Sequence, residues 1–175
     1  MPRVTIPQIE PTPNTTLPCV PNVEQFMCRD MCVATPDTLL ADVVRRMIQT
    51  HTAVVPVVES GEEGLRLLGL LSDRDCLTQL SNEAFFGNPY QPKEARTVMR
   101  PPAAVVSPKT DVFTLIALFN EHDCDALPVI ENSRLIGMVR RCDALRAIDQ
   151  YYDCTQHIRR RRRCNATRSR NGREE

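Results

Sequence analysis

Two copies of one sequence pattern follow each other along the chain, and this internal repeat restricts the fold more than any other feature. Three matching pairs, each 72 residues apart, are Met27 with Met99, Pro36 with Pro108, and Pro56 with Pro128. The offset then falls to 68, because Gly69 and Asp75 correspond to Gly137 and Asp143. A repeat of this length that occurs only twice predicts one closely packed pair rather than an extended array.

Each copy has the same predicted order of elements, which is strand, helix, strand, strand, helix. Apolar residues recur at helical spacing after Pro36 and Pro108, which predicts an amphipathic first helix in each copy. Candidate caps for these helices are Asp37 or Thr38, and Thr110 or Asp111. The second helices begin near Asp73 and near Cys142. The predicted strands are 32–35, 53–58 and 65–71 in the first copy, and 105–107, 126–130 and 135–139 in the second.

The element order predicts an α+β fold in which the two strand-helix-strand-strand-helix repeats pack sheet to sheet with pseudo-two-fold symmetry. One repeat alone is too small to bury its sheet, so each repeat needs the other to complete a core. The predicted boundaries are an extended N-terminal arm at 1–22, the first repeat at 23–80, a connector at 81–96, the second repeat at 97–152, and a basic, disordered tail at 153–175.

Composition excludes several classes of protein. No run approaches the roughly 20 apolar residues of a membrane helix, and the proline-rich N-terminus lacks the apolar core of a signal peptide. We therefore expect a cytoplasmic protein without a membrane partner. The eight cysteines contain no C-x-x-C pair, so we interpret them as small thiols in a reducing compartment rather than as disulfides or zinc ligands.

Catalysis has little support in the sequence. His51, His122 and His157 stand at unrelated positions of the repeat, and none forms a cluster with the spacing of a metal site or an activated nucleophile. The six glycines form no phosphate-binding loop. We expect a protein that is not an enzyme, with no catalytic residues, no bound metal and no catalytic cofactor.

The end of the third strand carries the most specific motif, which is a glycine, two apolar residues, a hydroxyl residue and an aspartate three residues later. It resembles the motif of the cystathionine beta-synthase (CBS) domain family. The matching stretches are Gly69–Asp75 and Gly137–Asp143, with Val55–Val58 and Leu127–Ile130 as the second strands. The resemblance covers about 24–150. It implies a paired module that often dimerises and binds adenine nucleotides or related ligands in clefts between the repeats.

The resemblance also implies a set of ligand-binding residues. The aspartate is expected to bind the ribose hydroxyls, and the residue three positions earlier to contact ribose or phosphate. This places Ser72 with Asp75 in one cleft, and Arg140 with Asp143 in the other. Arg140 departs from the family pattern, since an arginine either binds an anion bidentately or fills the cleft. The base is expected against Val33, Ala34, Ala53 and Val54 in one cleft, and against Ala104, Val105, Asp125 and Ala126 in the other.

A structural interpretation of the same residues stands beside the ligand site. Ser72 followed by Asp75 has the spacing of a capping box, which satisfies the amides at a helix start without a ligand. Arg140 cannot accept a hydrogen bond from an amide, so the second copy breaks this box while Asp143 persists. Attraction between Asp143 and the helix dipole is the remaining structural explanation for that residue.

Charge is distributed unevenly along the chain. From His157 onward the tail has a net charge of +6 and the rest of the chain −6. The run Arg159–Arg163 is either a solvated tail or a non-specific contact for nucleic acid.

We therefore expect a stand-alone sensor that binds an adenosine-containing ligand, of the AMP, ADP, ATP or S-adenosylmethionine class, and passes its occupancy to an unknown regulated protein. The alternative is a scaffold protein with empty clefts. A homodimer through the helices, near Met47, Ile48, Leu118 and Phe119, is also expected.

Overall fold

The computed structural model describes residues 19–86 and 92–171. The chain divides into two units, of which Val20–Gln150 contains every strand that the structure describes. The other unit comprises Met1–Cys19 with Tyr151–Glu175, and its described part is Cys19 and the helical residues 151–171. Within the second unit, the rings of Tyr151 and Tyr152 meet edge to face, with 5.7 Å between centroids.

The helix, strand, strand, helix part of the predicted order is present in both repeats, and the predicted α+β class is confirmed. A short 3-10 helix, Val23–Gln25, comes first. The first repeat contains α1 (Leu40–Thr50), β1 (Val54–Gly61), β2 (Gly64–Ser72) and α2 (Asp73–Phe86). The second contains α3 (Ala95–Val98), α4 (Val112–His122), β3 (Ala126–Glu131), β4 (Arg134–Arg140) and α5 (Arg141–Asn171).

Each repeat forms one antiparallel hairpin, and the two hairpins share the same irregularity. β1 pairs with β2 and β3 with β4, and each register shifts once, after Val57 and after Val129. The faces of the two sheets meet in an apolar cluster. Its buried members are Val54 and Val58 of β1, Ala126 of β3, and Leu135 and Met138 of β4. The repeats therefore pack sheet to sheet, as the pattern predicted.

The predicted first strand of each repeat is reduced to a single parallel bridge, Ala34 with Val57 and Val106 with Val129. Ala34 N–H donates to the Pro56 carbonyl at 3.0 Å, and Val58 N–H donates to the Ala34 carbonyl at 2.8 Å. The next bonds of a parallel ladder would need an N–H from Pro36 on one side and from Pro56 on the other. Proline has none, so the ladder stops at both ends.

Two segments, residues 22–28 and 93–100, are exchanged between the repeats, because each packs against the repeat other than the one that follows it in the chain. Cys28 pairs with Met138 of β4 through two backbone bonds of 2.8 and 2.9 Å, and Arg100 pairs with Leu70 of β2 through bonds of the same lengths. Val23 is buried in the core of the second repeat. Each core is thus completed by residues that sequence analysis assigns to the other repeat or to the connector. In the second repeat's core Val23 lies with Met27, Leu115, Leu127 and Val139; in the first repeat's core Ala95 lies with Val43, Val55 and Leu71.

Close approach of these exchanged segments explains the glycine of each repeated motif. A Cβ atom on Gly137 would lie 2.9 Å from the Cys28 carbonyl oxygen, and one on Gly69 would lie 3.0 Å from the Arg100 carbonyl oxygen. Both distances are shorter than an ordinary contact between carbon and oxygen. The glycine is therefore a packing requirement at a strand crossing.

Helix caps match the prediction in the second repeat and differ in the first. Asp111 caps α4, because its carboxylate accepts N–H bonds from Phe113 and Thr114 at 3.0 and 3.1 Å. The N-cap of α1 is Leu39 and neither Asp37 nor Thr38. The Leu40 N–H donates instead to the Lys93 carbonyl at 2.8 Å, so backbone from the exchanged segment substitutes for a side-chain cap.

Several expected segments differ from the structure or lie beyond the described residues. α2 continues into the predicted connector as far as Phe86, and α5 continues through the predicted disordered tail as far as Asn171. Arginine is a good helix former, and extending a helix costs much less than starting one. Residues 1–18, 87–91 and 172–175, which include most of the N-terminal arm, are outside the described part of the chain.

Two of the four residues expected near a helical dimer surface lie in the cores instead. Met47 and Phe119 are buried, and Leu118 is half-buried against the core of the second repeat. Ile48 is exposed. Since α1 and α4 turn these buried residues inward, they cannot form a free face for a partner.

Candidate functional site

A cavity of about 390 Å³ lies between the two repeats. It opens at the β3 start and the junction of β4 and α5 in the second repeat, and at the loop between α1 and β1 in the first. Its lining residues are Cys28, Asp30, Met31, Cys32, Thr50, His51, Thr52, Ala53, Val54, Asp125, Ala126, Met138, Arg140, Arg141 and Cys142.

Five of the twelve predicted site residues line this cavity: Ala53, Val54, Asp125, Ala126 and Arg140. The sequence interpretation divided the first four between two clefts, but here both pairs border the same space. The difference arises because the starts of β1 and β3 meet where the two sheets pack together.

The remaining base-binding candidates do not line this cavity. Ala34 is buried in the core of the first repeat, and Val33 packs into the cluster between the sheets. Ala104 packs against the core of the second repeat, while Val105 is exposed. The sequence alone could not show which of these four residues pack in a core and which line a cavity, because all of them lie in or beside short strands with the same apolar pattern.

Asp143 does not line the cavity itself, and its carboxylate is held by two arginines, of which Arg140 does line it. Its Oδ2 accepts the Arg140 backbone N–H at 3.1 Å and Nε–H at 2.9 Å, and its Oδ1 accepts Arg140 Nη2–H at 3.0 Å. Arg146 Nη1–H donates to Oδ1 at 3.3 Å. Burial raises the pKa of Asp143, but the hydrogen bonds and charge of Arg140 outweigh it and hold that pKa below its usual value.

Asp75 occupies the equivalent position at the start of α2 and has fewer partners. Ser72 Oγ–H donates to its Oδ2 at 2.7 Å, and Arg100 Nε lies 2.7 Å from its Oδ1. The Asp75 N–H donates to Ser72 Oγ at 3.1 Å, so Ser72 does cap the helix. The capping interpretation of this motif is therefore correct for Ser72. The Asp75 carboxylate contacts the Ser72 hydroxyl and Arg100.

The two aspartates are each paired with an arginine that comes from a different place in the repeat. Arg140 belongs to the motif itself, in the position that Ser72 occupies in the first repeat. Arg100 belongs to the exchanged segment and corresponds to Cys28. Sequence analysis missed Arg100, because nothing local in the sequence links it to a residue 25 positions earlier across a strand crossing.

Sequence analysis also missed the thiols and the second arginine of the cavity. Cys28, Cys32 and Cys142 all line it, and the repeat-equivalent positions carry no cysteine. Arg141 is anchored beside it, since its Nε–H donates to the Cys124 carbonyl at 2.5 Å and its Nη2–H to Asp123 at 2.9 Å.

No group of three or more His, Cys, Asp or Glu side chains in the described part of the chain is placed to hold a metal ion. Within residues 19–86 and 92–171, no helix combines the length and the apolar composition that crossing a membrane requires. The side chains of Arg159–Arg163, the predicted contact for nucleic acid, lie outside the described residues.

Comparison with known proteins gives a consistent result. The family model "CBS domain" matches the chain twice, at residues 23–82 and 95–150. An uncharacterised protein of Methanocaldococcus jannaschii, MJ1225, is 29% identical over 134 residues, which are 71% of this chain and 46% of that protein. The mitochondrial CBS domain-containing protein CBSX3 of Arabidopsis thaliana is 28% identical over 116 residues, 65% of this chain and 54% of that protein. The chain thus spans about half the length of these curated relatives.

Among solved structures, the CBSX2 complex with AMP superposes with a TM-score of 0.62. The sequence identity is 25%, and the match covers 74% of this chain and 96% of the CBSX2 chain. CBSX2 is also a protein of Arabidopsis thaliana.

Proposed function

This chain belongs to the CBS domain family, and from that premise we propose that it is a non-catalytic regulatory module that binds an adenosine-containing ligand between its repeats. The observation that carries the proposal is the cavity between the repeats, which is lined by Arg140, the residue that also holds the Asp143 carboxylate. Asp75 retains the serine of the family motif, with Ser72 Oγ 2.7 Å from its Oδ2. AMP bound to the similar CBSX2 supports an adenine nucleotide as the ligand.

The cavity between the repeats has the dimensions and lining of a small-molecule site. Its volume of about 390 Å³ falls within the range of known ligand pockets, roughly 300–1,000 Å³. Residues of both repeats form its walls, apolar ones such as Val54 and Met138 together with polar and charged ones such as Thr50, Asp125 and Arg140. A ligand that contacts both repeats changes their relative arrangement only as far as it binds one arrangement more tightly, and this difference is the signal that a regulated partner would read.

Calorimetric titration of the whole chain with AMP, ADP, ATP, S-adenosylmethionine and NADH tests the proposal. Replacement of Asp75 by Ala removes the carboxylate that would accept charge-assisted hydrogen bonds from the ligand. Such bonds are worth about 1.5–3 kcal/mol, so the affinity for the ligand should fall about tenfold to a hundredfold. Asp73→Ala is the matched control. It removes the same charge from the same helical turn, and the Asp73 carboxylate accepts a bond from the neighbouring Arg74 N–H.

Retention of affinity in Asp75→Ala would contradict the assignment of that carboxylate. If none of the five ligands binds at millimolar concentration, the scaffold interpretation replaces the sensor. The regulated protein, the homodimer, the cytoplasmic location and nucleic-acid binding by Arg159–Arg163 stay predictions. Exposed apolar residues on α1, α2 and α5, namely Ile48, Leu77 and Leu145, support a dimer through helices.

A further inference from the structure

Three thiols line the cavity between the repeats, although the fold does not need sulfur at any of the three positions. They are Cys28, Cys32 and Cys142. The equivalent positions of the other repeat carry Arg100, Ala104 and Arg74. All three cysteines are free; Cys142 is exposed, and the other two are half-buried. A group of free thiols that lines an open cavity is accessible to a small molecule that enters it.

Two of these thiols lie close to the Arg140 guanidinium. The pKa of Arg140 is raised first by its hydrogen bond to Asp143, and further by the negative charges that Asp143, Cys142 and Cys28 carry when ionised. Arg141, which precedes Cys142, also lines the cavity. Within the described residues, hydrogen bonds occupy two of the five guanidinium N–H groups of each arginine. The other N–H groups can bind carboxylates of a ligand.

Cys142 is the thiol best placed to react. It is exposed, and it is the second residue of α5. Its Sγ lies 3.7 Å from Asp143 Oδ1, and a thiol is only a weak donor. Cys28 is held more firmly, because its backbone pairs with Met138 and its Sγ–H donates to the Asp30 carbonyl at 3.3 Å. Attack on a disulfide depends on access, so Cys142 should react first.

We propose that Cys142 is a modification site for small disulfides that carry carboxylates, and that the resulting mixed disulfide fills the cavity and excludes the nucleoside ligand. This inference rests on the proposed function. The Cys142 thiolate attacks one sulfur of the small disulfide, whose S–S bond breaks, and a new S–S bond joins Cys142 to one half of the reagent. The other half leaves as a thiolate and takes a proton from water. Cys142 is thereby oxidised, the leaving half is reduced, and a small thiol reverses the step.

The size of the cavity explains why the adduct and the ligand exclude each other. A volume of about 390 Å³ lies near the lower end of the range for ligand sites, roughly 300–1,000 Å³, so the cavity holds one small molecule. An adduct the size of a tripeptide would take up most of this space. Modification of Cys142 therefore opposes ligand binding, and the sensor would respond to the redox state of its surroundings.

Treatment of the full chain with oxidised glutathione, followed by calorimetric titration with AMP, tests the inference. The treated wild type should carry glutathione on Cys142, located by peptide mass spectrometry, and should lose AMP binding, which dithiothreitol should restore. Cys142→Ser should bind AMP equally before and after treatment. Cys154→Ser is the matched control. Cys154 is also an exposed residue of α5 but is not among the residues that line the cavity, so this variant should lose AMP binding on treatment as the wild type does.

A second arm uses the wild type alone and does not depend on how Cys142→Ser folds or binds. AMP at about ten times its dissociation constant should slow modification of Cys142 about tenfold and leave that of Cys154 unchanged, because ligand and reagent compete for one space.

The outcomes separate this inference from the proposed function. Equal rates at Cys142 with and without AMP, unchanged AMP affinity after full modification of Cys142, or a loss of binding on treatment of Cys142→Ser would each overturn the inference and leave the proposed function standing. Absence of AMP binding by the untreated wild type would overturn the proposed function and this inference with it.

Discussion

Gly137→Ala should destabilise the fold by about 1–3 kcal/mol, the usual range for an added methyl group in a packed site. The new Cβ would lie 2.9 Å from the Cys28 carbonyl oxygen and 3.1 Å from Met27 Sδ. The methionine side chain can move aside, but the carbonyl belongs to backbone. It accepts the Met138 N–H at 2.9 Å, while the Cys28 N–H donates to the Met138 carbonyl at 2.8 Å. Relief of the contact must stretch this pair of bonds, each worth about 1 kcal/mol.

Urea denaturation followed by circular dichroism measures the change, and Gly61→Ala is the matched control. A Cβ on Gly61 meets only the Gly64 carbonyl oxygen, at an ordinary 3.8 Å. The control should change the free energy of unfolding by less than about 0.5 kcal/mol, as surface substitutions usually do. Gly69→Ala should behave like Gly137→Ala, with a slightly smaller loss, because its closest backbone contact is 3.0 Å.

The explanation by close packing would be refuted if Gly137→Ala and Gly61→Ala had the same free energy of unfolding within 0.5 kcal/mol. A variant of normal stability that failed to bind nucleotide would instead assign the glycine to the ligand.

Two further predictions concern titratable groups. Burial, followed by the charges of Asp75 and Asp73, raises the pKa of Cys76, so at pH 8 iodoacetamide should label the exposed Cys142 well before Cys76; peptide mass spectrometry on the native protein checks the order, and equal rates would contradict the buried environment. Because the folded pKa of Asp143 lies below 3.8, its stabilising contribution is present above about pH 3.8 and is lost as the pH falls through the folded value. Melting temperatures at pH 5 and pH 3 should therefore fall further for the wild type than for Asp143→Asn, and parallel losses would refute this linkage.

The sequence predicted the elements of this fold because their signals are local. The helical spacing of apolar residues, the proline positions and the repeated motif are each contained within a few residues. Because the pattern occurs twice, the elements predicted in one copy support those predicted in the other. The same local signals could not show that Arg100 reaches Asp75 or that Cys28 pairs with Met138. Those contacts join positions that are far apart in the chain, and no periodicity connects them.

The candidate site shows the same division. The motif identified Asp75 and Asp143 together, and their chemical difference follows only from which side chains surround them. Arg140 was recognisable as a departure from the pattern. The sequence did not decide whether an arginine at this position binds an anion or fills the cleft, and in the structure its guanidinium binds the Asp143 carboxylate. A residue that differs between the two copies therefore marks a position of interest, but its effect follows only from the contacts that its side chain makes in the structure.

The exchange of segments between the repeats also sets the order in which the protein can fold during synthesis. The N-terminus leaves the ribosome first, yet Val23 and Met27 belong to a core that is closed by Val139. The core of the first repeat likewise waits for Ala95. The first core can close once Ala95 has emerged, whereas Val23 and Met27 leave apolar surface open until Val139 has emerged. Contacts that span so much of the chain slow folding, and the interval of exposure is when chaperones would meet this protein.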